Sequence, residues 1–291
     1  MQSHESSTGD LPTIDNGETS SRIRLHQKEY GSGDPILCLH GLGANIFTWR
    51  HFITPFSQTN KLILVDLRGF GGSPKPSDNN YSIEDHADDI YKIVLRDDLK
   101  RLTLIGNSLG GGIALLVALR LREQDPARLS KLVLIDAGAY KEYVPGYLKL
   151  MRTSVGGLIV HLIPSRLAAK FVLRASYYDK SKITQEQVKA YADPIASKEG
   201  RHALLQTARQ CIPTNSDEII AELKSIAIPT MLLWGREDAV ISLKAGELLD
   251  EALPDSRLVV LEHCGHIPQE EKPTETISSI SQFMNEQNEN S

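Results

Sequence analysis

The sequence predicts an α/β protein built on a mostly parallel sheet, and both its apolar patterning and its composition support this fold class. Short, almost entirely apolar runs, typical of strands covered on both faces, alternate with longer helical stretches. Parallel strands joined by crossover helices require this alternation. The 291 residues are 41% hydrophobic and 24% charged, which is typical of a folded globular chain and disfavours a disordered, fibrous or coiled-coil protein.

Six apolar runs are the candidates for strands of the sheet interior. An alternating segment at residues 22–26 precedes them and indicates an edge or antiparallel strand. The six runs are residues 36–39, 62–65, 102–105, 132–135, 231–233 and 258–261.

The strand pattern is interrupted in the middle of the chain. Residues 140–215 keep a helical pattern broken by prolines, and strand-like sequence resumes only at Ile228. We therefore expect a helical insertion at residues 140–215 within one α/β core formed by residues 22–139 and 216–285. Residues 1–21 are rich in Ser, Thr and Gly and predict a disordered N-terminal tail.

The charge balance argues against a nucleic-acid partner. The chain has 32 Lys and Arg against 37 Asp and Glu, a net charge of −5, and no basic stripe that would neutralise a phosphate backbone. Its three cysteines, Cys38, Cys211 and Cys264, match neither zinc-ligand nor disulfide spacing, which favours a reducing compartment.

The sequence also bears on location. It starts without the basic and apolar regions of a signal peptide, and no apolar run reaches the roughly 18 residues of a membrane span. We expect a cytoplasmic protein without a membrane span; the sequence leaves its oligomeric state open.

A glycine-rich turn after the third interior strand carries the strongest functional signal. Gly106-Asn107-Ser108-Leu109-Gly110 lies directly between a strand run and a helix, the setting of a nucleophile elbow. Small residues on both sides let the strand and helix pass closely around a serine held in strained geometry. Ser108 is the predicted nucleophile. The alternative is a glycine-rich turn without catalytic function.

A serine hydroxyl needs a base to remove its proton and an acid to orient that base. Asp238 follows the strand run at 231–233 and His266 follows the run at 258–261, which gives the order Ser, Asp, His. Both lie at the same sheet edge as Ser108, where ligands of open α/β sheets bind. We expect Asp238 and His266 to complete a triad.

Several neighbouring residues compete for these two roles. Glu237 is adjacent to Asp238, and Asp66 and Asp136 also end strands. His263 competes with His266, but Gly265 favours a loop that carries the ring of His266 inward.

A loop after the first interior strand predicts an oxyanion hole. His40-Gly41-Leu42-Gly43 follows residues 36–39, where such a loop contributes one backbone amide and the residue after the nucleophile contributes the other. The predicted donors are the backbone N–H groups of Leu42 and Leu109.

Together these segments resemble the α/β-hydrolase superfamily, in its single-domain group with a helical cap. The resemblance covers residues 22–283 and implies an eight-stranded, mostly parallel sheet with residues 140–215 as the cap. It also implies that Ser108 is the nucleophile, His266 the general base and then acid, and Asp238 its orienting partner. No metal and no organic cofactor is implied.

A serine at the elbow suits attack on an acyl carbon. Cap-bearing epoxide hydrolases and haloalkane dehalogenases use aspartate there, so Ser108 argues against both. The sequence therefore predicts a carboxylesterase acting on small to medium apolar esters. We expect Asn107, Tyr177 and Ile267 to contact the small-molecule substrate.

Two alternatives remain open. The elbow also resembles that of hydrolases that split carbon–carbon bonds of products of aromatic ring cleavage, in which asparagine precedes the serine, as Asn107 does here. Those enzymes usually carry an aromatic residue after the catalytic histidine, where this chain has Ile267. The second alternative is a ligand receptor on a hydrolase fold that catalyses no reaction.

Overall fold

A computed structural model describes residues 23–286 of the chain. The tail predicted at residues 1–21 lies outside the described residues. The described part contains a seven-stranded sheet. Its strands are β1 (Gln27–Tyr30), β2 (Pro35–Leu39), β3 (Lys61–Val65), β4 (Leu102–Asn107), β5 (Leu129–Ile135), β6 (Thr230–Gly235) and β7 (Ser256–Leu261).

The strand order is β1-β3-β2-β4-β5-β6-β7, and only β1 runs antiparallel to its neighbour. All six interior strands predicted from apolar runs are confirmed. Because β2 to β7 are parallel, their carboxyl ends lie at one edge of the sheet, where ligands of such sheets bind. That edge carries the loops that follow β2, β4, β6 and β7.

The expected count of eight strands is wrong for the described residues, where the sheet has seven. The edge strand predicted at residues 22–26 begins instead at Gln27. His26 is held by the loop after β3: its N–H donates to Ser73 Oγ at 2.8 Å and its carbonyl accepts from the Asp66 N–H at 3.0 Å. A single, largely polar strand therefore completes this side of the sheet.

The two faces of the sheet bury alternate side chains of the same strands. Leu37 and Leu39 pack on one face with helices α2 (Ile83–Arg96) and α3 (Leu109–Gln124). Ile36 and Cys38 pack on the other face with helix α12 (Pro273–Glu286). The helices are α1 (Ile53–Phe56), α2 (Ile83–Arg96), α3 (Leu109–Gln124), α4 (Gly146–Met151), α5 (Ser154–Leu162), α6 (Ser165–Ser176), α7 (Gln185–Ala192), α8 (Lys198–Gln210), α9 (Ser216–Glu222), α10 (Leu243–Ala252), α11 (Pro268–Glu271) and α12 (Pro273–Glu286).

Helices α4 to α9 follow one another between β5 and β6, without an intervening strand. A buried carboxylate joins this segment to the rest of the fold. Glu270 on α11 accepts hydrogen bonds from Thr48 at 2.8 Å, from Arg50 at 2.6 Å, and from Gln187 on α7 at 3.0 Å. These charge-assisted bonds tie α7 to α11 and to the segment after β2.

Among residues 23–286, no single helix has both the length and the apolar composition of a membrane span. Helices α5 and α6, bent by 116° at the break between them, have that length and composition only when taken together.

Candidate active site

Ser108 lies at the turn between β4 and α3, with φ 54° and ψ −118°. This left-handed conformation is unusual for a residue with a side chain and is a form of strain found at functional sites. The turn is possible because two flanking glycines leave room. A Cβ atom on Gly106 would lie 2.2 Å from the carbonyl oxygen of Gly110, and one on Gly110 would lie 2.3 Å from that of Leu39.

The loop after β2 passes directly beside the serine. A Cβ atom on Gly41 would lie 3.2 Å from the Cβ of Ser108, so a larger residue would fit only if neighbouring atoms moved by a few tenths of an ångström. Within the described residues, the backbone N–H groups of Leu42 and Leu109 donate to no protein acceptor. The Leu109 amide is also the first of helix α3, where unpaired N–H groups favour negative charge.

The buried ring of His40 holds the loop after β2 through two hydrogen bonds. Its Nδ1 lies 2.8 Å from the carbonyl oxygen of Gly41, and its Nε2 lies 3.0 Å from the backbone nitrogen of Leu67. Because a carbonyl only accepts and an N–H only donates, the proton sits on Nδ1. Burial lowers the pKa of His40, which agrees with this neutral ring.

His266 and Asp238 form a buried pair at the ends of β7 and β6. His266 Nδ1 lies 2.7 Å from Asp238 Oδ2. The other carboxylate oxygen, Oδ1, accepts from the backbone N–H groups of Val240 at 2.7 Å and Ile241 at 3.0 Å. The carboxylate is thus held on both oxygens, and it fixes the tautomer and the orientation of the imidazole.

Three of the four competing residues lie elsewhere. The side chain of His263 is 70% exposed, and its ring stacks on Tyr178. Glu237 accepts from the backbone N–H of Cys264 at 3.0 Å, and Asp66 accepts from Ile46 and Gly72. None of the three contacts the buried pair through a hydrogen bond in the described part of the chain.

The backbone around His266 is held by contacts that sequence reasoning missed. The His266 N–H donates to the carbonyl of Ser176 at 2.7 Å, and the N–H of Gly265 donates to Glu271 at 2.8 Å. Glu271 also accepts the N–H of Tyr178 at 3.1 Å. The end of α6 therefore helps to position the histidine loop. The only sequence signal for this contact is the acidic pair that follows the loop.

Asp136, at the end of β5, is a third buried carboxyl in the site. Its Oδ1 accepts from the Gly235 N–H at 3.0 Å, whereas its Oδ2 has no hydrogen-bond partner among the described residues. Ligand-type atoms of Asp136, Asp238 and His266 lie within 4.8 Å of one another. The 2.7 Å His266–Asp238 contact engages the nitrogen and one of the oxygens that a metal ion would need.

Burial, and then the charge of Asp238, raises the pKa of Asp136 well above its usual range. The raised pKa favours the protonated form of Asp136. Asp238, and not Asp136, is the carboxylate that contacts His266.

The three predicted substrate contacts are buried inside the protein. The Asn107 amide donates to the backbone carbonyls of Ile135 and His266, both at 3.1 Å. Tyr177 and Ile267 pack together in the small apolar cluster between α6 and α7, and the Tyr177 hydroxyl accepts from Gln187 at 2.5 Å. The structure places none of the three on the wall of the cavity beside Ser108.

Two apolar cavities adjoin the elbow. The first, of about 100 Å³, is lined by Ser108, Leu42 and Leu109 together with Tyr147 and Leu148 of α4. The second, of about 300 Å³, lies between α4, α5 and α6, and the two cavities share Leu42 and Tyr147 as lining residues. Such walls suit an apolar acyl or alkyl group.

A family model described as the alpha/beta hydrolase fold matches residues 34–273. The chain belongs to this family. The resemblance inferred from the sequence motifs is thereby confirmed, and the protein is a hydrolase by fold and by the names of its relatives.

Relatives of this hydrolase include enzymes of different specificity. It is 28% identical over 270 residues to a 2-hydroxy-6-oxononadienedioate/2-hydroxy-6-oxononatrienedioate hydrolase of Cupriavidus pinatubonensis, covering 90% of each chain. A meta-cleavage product hydrolase of Pseudomonas fluorescens superposes with TM-score 0.76 at 24% identity, over 91% of this chain and 95% of the other. An esterase of Exiguobacterium antarcticum superposes with TM-score 0.75 at 21% sequence identity, over 90% of this chain and 95% of the esterase chain. The two structural likenesses show the shared fold.

Proposed function

We propose that this hydrolase is a carboxylesterase that acts on small to medium apolar esters through Ser108, His266 and Asp238. The buried His266–Asp238 pair, 2.7 Å apart at the same sheet edge as a strained elbow serine, carries the proposal. Ser108 opens into a cavity lined mainly by apolar residues, which suits the acyl or alkyl part of an ester.

The proposed reaction has two stages, acylation of Ser108 and then deacylation by water. His266 Nε2 takes the proton of Ser108 Oγ as the oxygen attacks the acyl carbon, while Asp238 stabilises the resulting imidazolium. The amides of Leu42 and Leu109 donate to the developing oxyanion. His266 then gives its proton to the departing alcohol. Water, deprotonated by the same histidine, releases the acid from Ser108.

Residues 140–215 act as a cap in this proposal, because Tyr147, Leu148 and Cys211 close the cavity above Ser108. The cap would select the substrate by the shape of its apolar wall. The end of α6 also holds the histidine loop through the Ser176 carbonyl. Rearrangement of the cap would therefore affect both substrate entry and the position of His266.

The cations near the cavities favour an ester over a substrate with a free carboxylate. Lys141 beside the first cavity pairs with Asp217 at 2.6 Å. Arg201 beside the second donates to the backbone carbonyls of Val160 at 2.8 Å and Ile195 at 3.1 Å. Among the described residues, Lys141 and Arg201 are the two Lys or Arg side chains that line these cavities, and both already bond to protein acceptors. A dioate substrate would need cationic partners for its carboxylates.

The test compares p-nitrophenyl esters of increasing acyl length with a 2-hydroxy-6-oxo dienoate, using wild type, His266→Ala and His263→Ala. We expect ester turnover with an optimum chain length, a loss of at least about 10³-fold in His266→Ala, and less than about twofold change in His263→Ala, whose ring lies on the surface. A kcat/KM higher for the dienoate than for every ester would favour carbon–carbon cleavage. A folded wild type inactive on both classes would favour a receptor.

A further inference from the structure

The apolar stripe of α5 faces solvent instead of the core. Val155, Leu158, Ile159 and Leu162 follow the spacing of one helix face, and all four are exposed, Leu162 by 73%. The face turned toward the protein instead carries small residues, the buried pair Gly156-Gly157. An amphipathic helix of a globular protein normally turns its apolar face toward the core, whereas no part of residues 23–286 covers this face.

Helix α6 continues the exposed apolar surface and adds a basic border. Leu167 and Phe171 are one turn apart and both are exposed. Arg166, Lys170 and Arg174, spaced four residues apart, are exposed beside them on the same helix. Long basic side chains next to an apolar stripe are typical of helices that lie in a membrane interface, because the side chains reach toward the headgroups.

The charge of this region is opposite to that of the whole chain. Residues 146–178 contain five Lys and Arg and no Asp or Glu, whereas the chain carries a net charge of −5. All five cations are exposed, the other two being Lys149 and Arg152. None of the five forms an ion pair with a residue of the described chain. These cations match an anionic surface and remain free to bind it.

The larger cavity opens within the same surface. Its lining includes Leu150, Ile159 and Phe171, which are themselves among the exposed large apolar residues. Through Leu42 and Tyr147 it adjoins the cavity of Ser108. An apolar chain that leaves a bilayer at this face would therefore reach an apolar cavity directly.

We infer that the α5–α6 face docks on the surface of an anionic lipid bilayer. This face consists of the exposed apolar residues of α5 and α6 and of the five cations Lys149, Arg152, Arg166, Lys170 and Arg174. The two helices have 9 and 12 residues, each shorter than the roughly 20 needed to cross, so they lie in the interface. A second copy of this chain fits the face less well, because a twofold interface would bring the same five cations against each other. The inference stands on this surface and does not depend on the proposed reaction.

The test is flotation of the full chain carrying Ser108→Ala, so that hydrolysis cannot alter the lipid, with vesicles of phosphatidylcholine or of phosphatidylcholine with phosphatidylglycerol. We expect binding to the anionic vesicles that weakens with salt. Changing Arg166, Lys170 and Arg174 together to Gln should reduce it about 10²-fold. A matched triple change on other elements, Arg24→Gln with Lys28→Gln and Lys224→Gln, should leave it within about threefold, because these exposed cations lie outside the face.

The apolar contribution is tested separately. Leu162→Ser should weaken binding at least about tenfold, whereas Leu95→Ser, an exposed leucine on α2, should have little effect. Absence of vesicle binding, or equal binding by the two triple variants, would overturn the inference. So would a wild-type dimer that Leu162→Ser converts to a monomer without any vesicle binding, because the face would then join two copies of the chain.

Discussion

The side-chain amide of Asn107 donates a hydrogen bond to the backbone carbonyl of His266 over 3.1 Å. The residue before the proposed nucleophile thus holds the loop that carries the proposed general base. The same amide also donates to the carbonyl of Ile135 at 3.1 Å, so both of its protons are used within the protein. This contact couples the elbow to β5 and to the histidine loop.

Asn107→Ala should lower kcat by about 10- to 100-fold with little change in KM, because a small displacement of His266 weakens proton transfer more than substrate binding. Steady-state kinetics on the best p-nitrophenyl ester measure both constants. A rise in KM at unchanged kcat would instead make Asn107 the substrate contact that the sequence predicted.

Asp136 and Asp238 should differ sharply when each is changed to asparagine. Asp238→Asn favours the wrong histidine tautomer and should lower kcat by about 10⁴-fold. Asp136→Asn replaces a carboxyl whose pKa is raised by burial and by the charge of Asp238, so an uncharged amide of the same shape should disturb the site little. Activity of this variant should stay within about tenfold of wild type. Equal losses in the two variants would contradict this assignment.

Gly110→Ala should destabilise the fold by at least about 3 kcal/mol or prevent folding, because the new Cβ would lie 2.3 Å from the carbonyl oxygen of Leu39. Gly146→Ala is the matched control. Its Cβ would meet no atom within 4 Å at the start of α4, and it should be neutral or stabilising by up to about 1 kcal/mol. Urea denaturation measures both changes, and similar midpoints would refute the close packing of the elbow.

The buried ring of His86 predicts a loss of stability in acid. Burial, with a smaller effect of Arg68, lowers the pKa of His86 to about 3, while the unfolded chain titrates near 6.5. Between these values the unfolded state binds a proton that the folded state does not, so stability falls as the pH falls. Relative to His86→Gln, wild type should lose about 2 kcal/mol of free energy of unfolding when the pH falls from 7 to 5. Denaturant titrations at both pH values that show a constant difference would contradict the neutral buried ring.

Local sequence signals predicted the interior strands and the loops at their ends. Ser108 could be proposed as the nucleophile because a strand, a glycine-framed serine and a helix are adjacent in the chain, and the structure has this strand–turn–helix arrangement. The edge strand was misplaced because β1 has the polar sequence Gln-Lys-Glu-Tyr and no apolar pattern to mark it. The expected eighth strand came from the family resemblance and not from a run in the sequence. The expected cellular location and oligomeric state stay predictions of the sequence.

Contacts between distant segments could not be predicted in the same way. Asn107 and His266 are 159 positions apart, and no local pattern indicates that an asparagine beside the nucleophile would bond to the histidine loop. The burial of Tyr177 depends similarly on Gln187 and on the packing of α6 against α7. The sequence predicted a helical insertion at residues 140–215 but not the side of each helix that would face the core.

The most direct test of the proposed mechanism is intact-mass analysis after reaction with a fluorophosphonate, with peptide mapping of the adduct in wild type, Ser108→Ala and His266→Ala. The account predicts one adduct in wild type, located on Ser108, none in Ser108→Ala and greatly slowed labelling in His266→Ala. An unmodified but folded wild type, or an adduct that persists in Ser108→Ala, would contradict the assignment of Ser108 as an activated nucleophile.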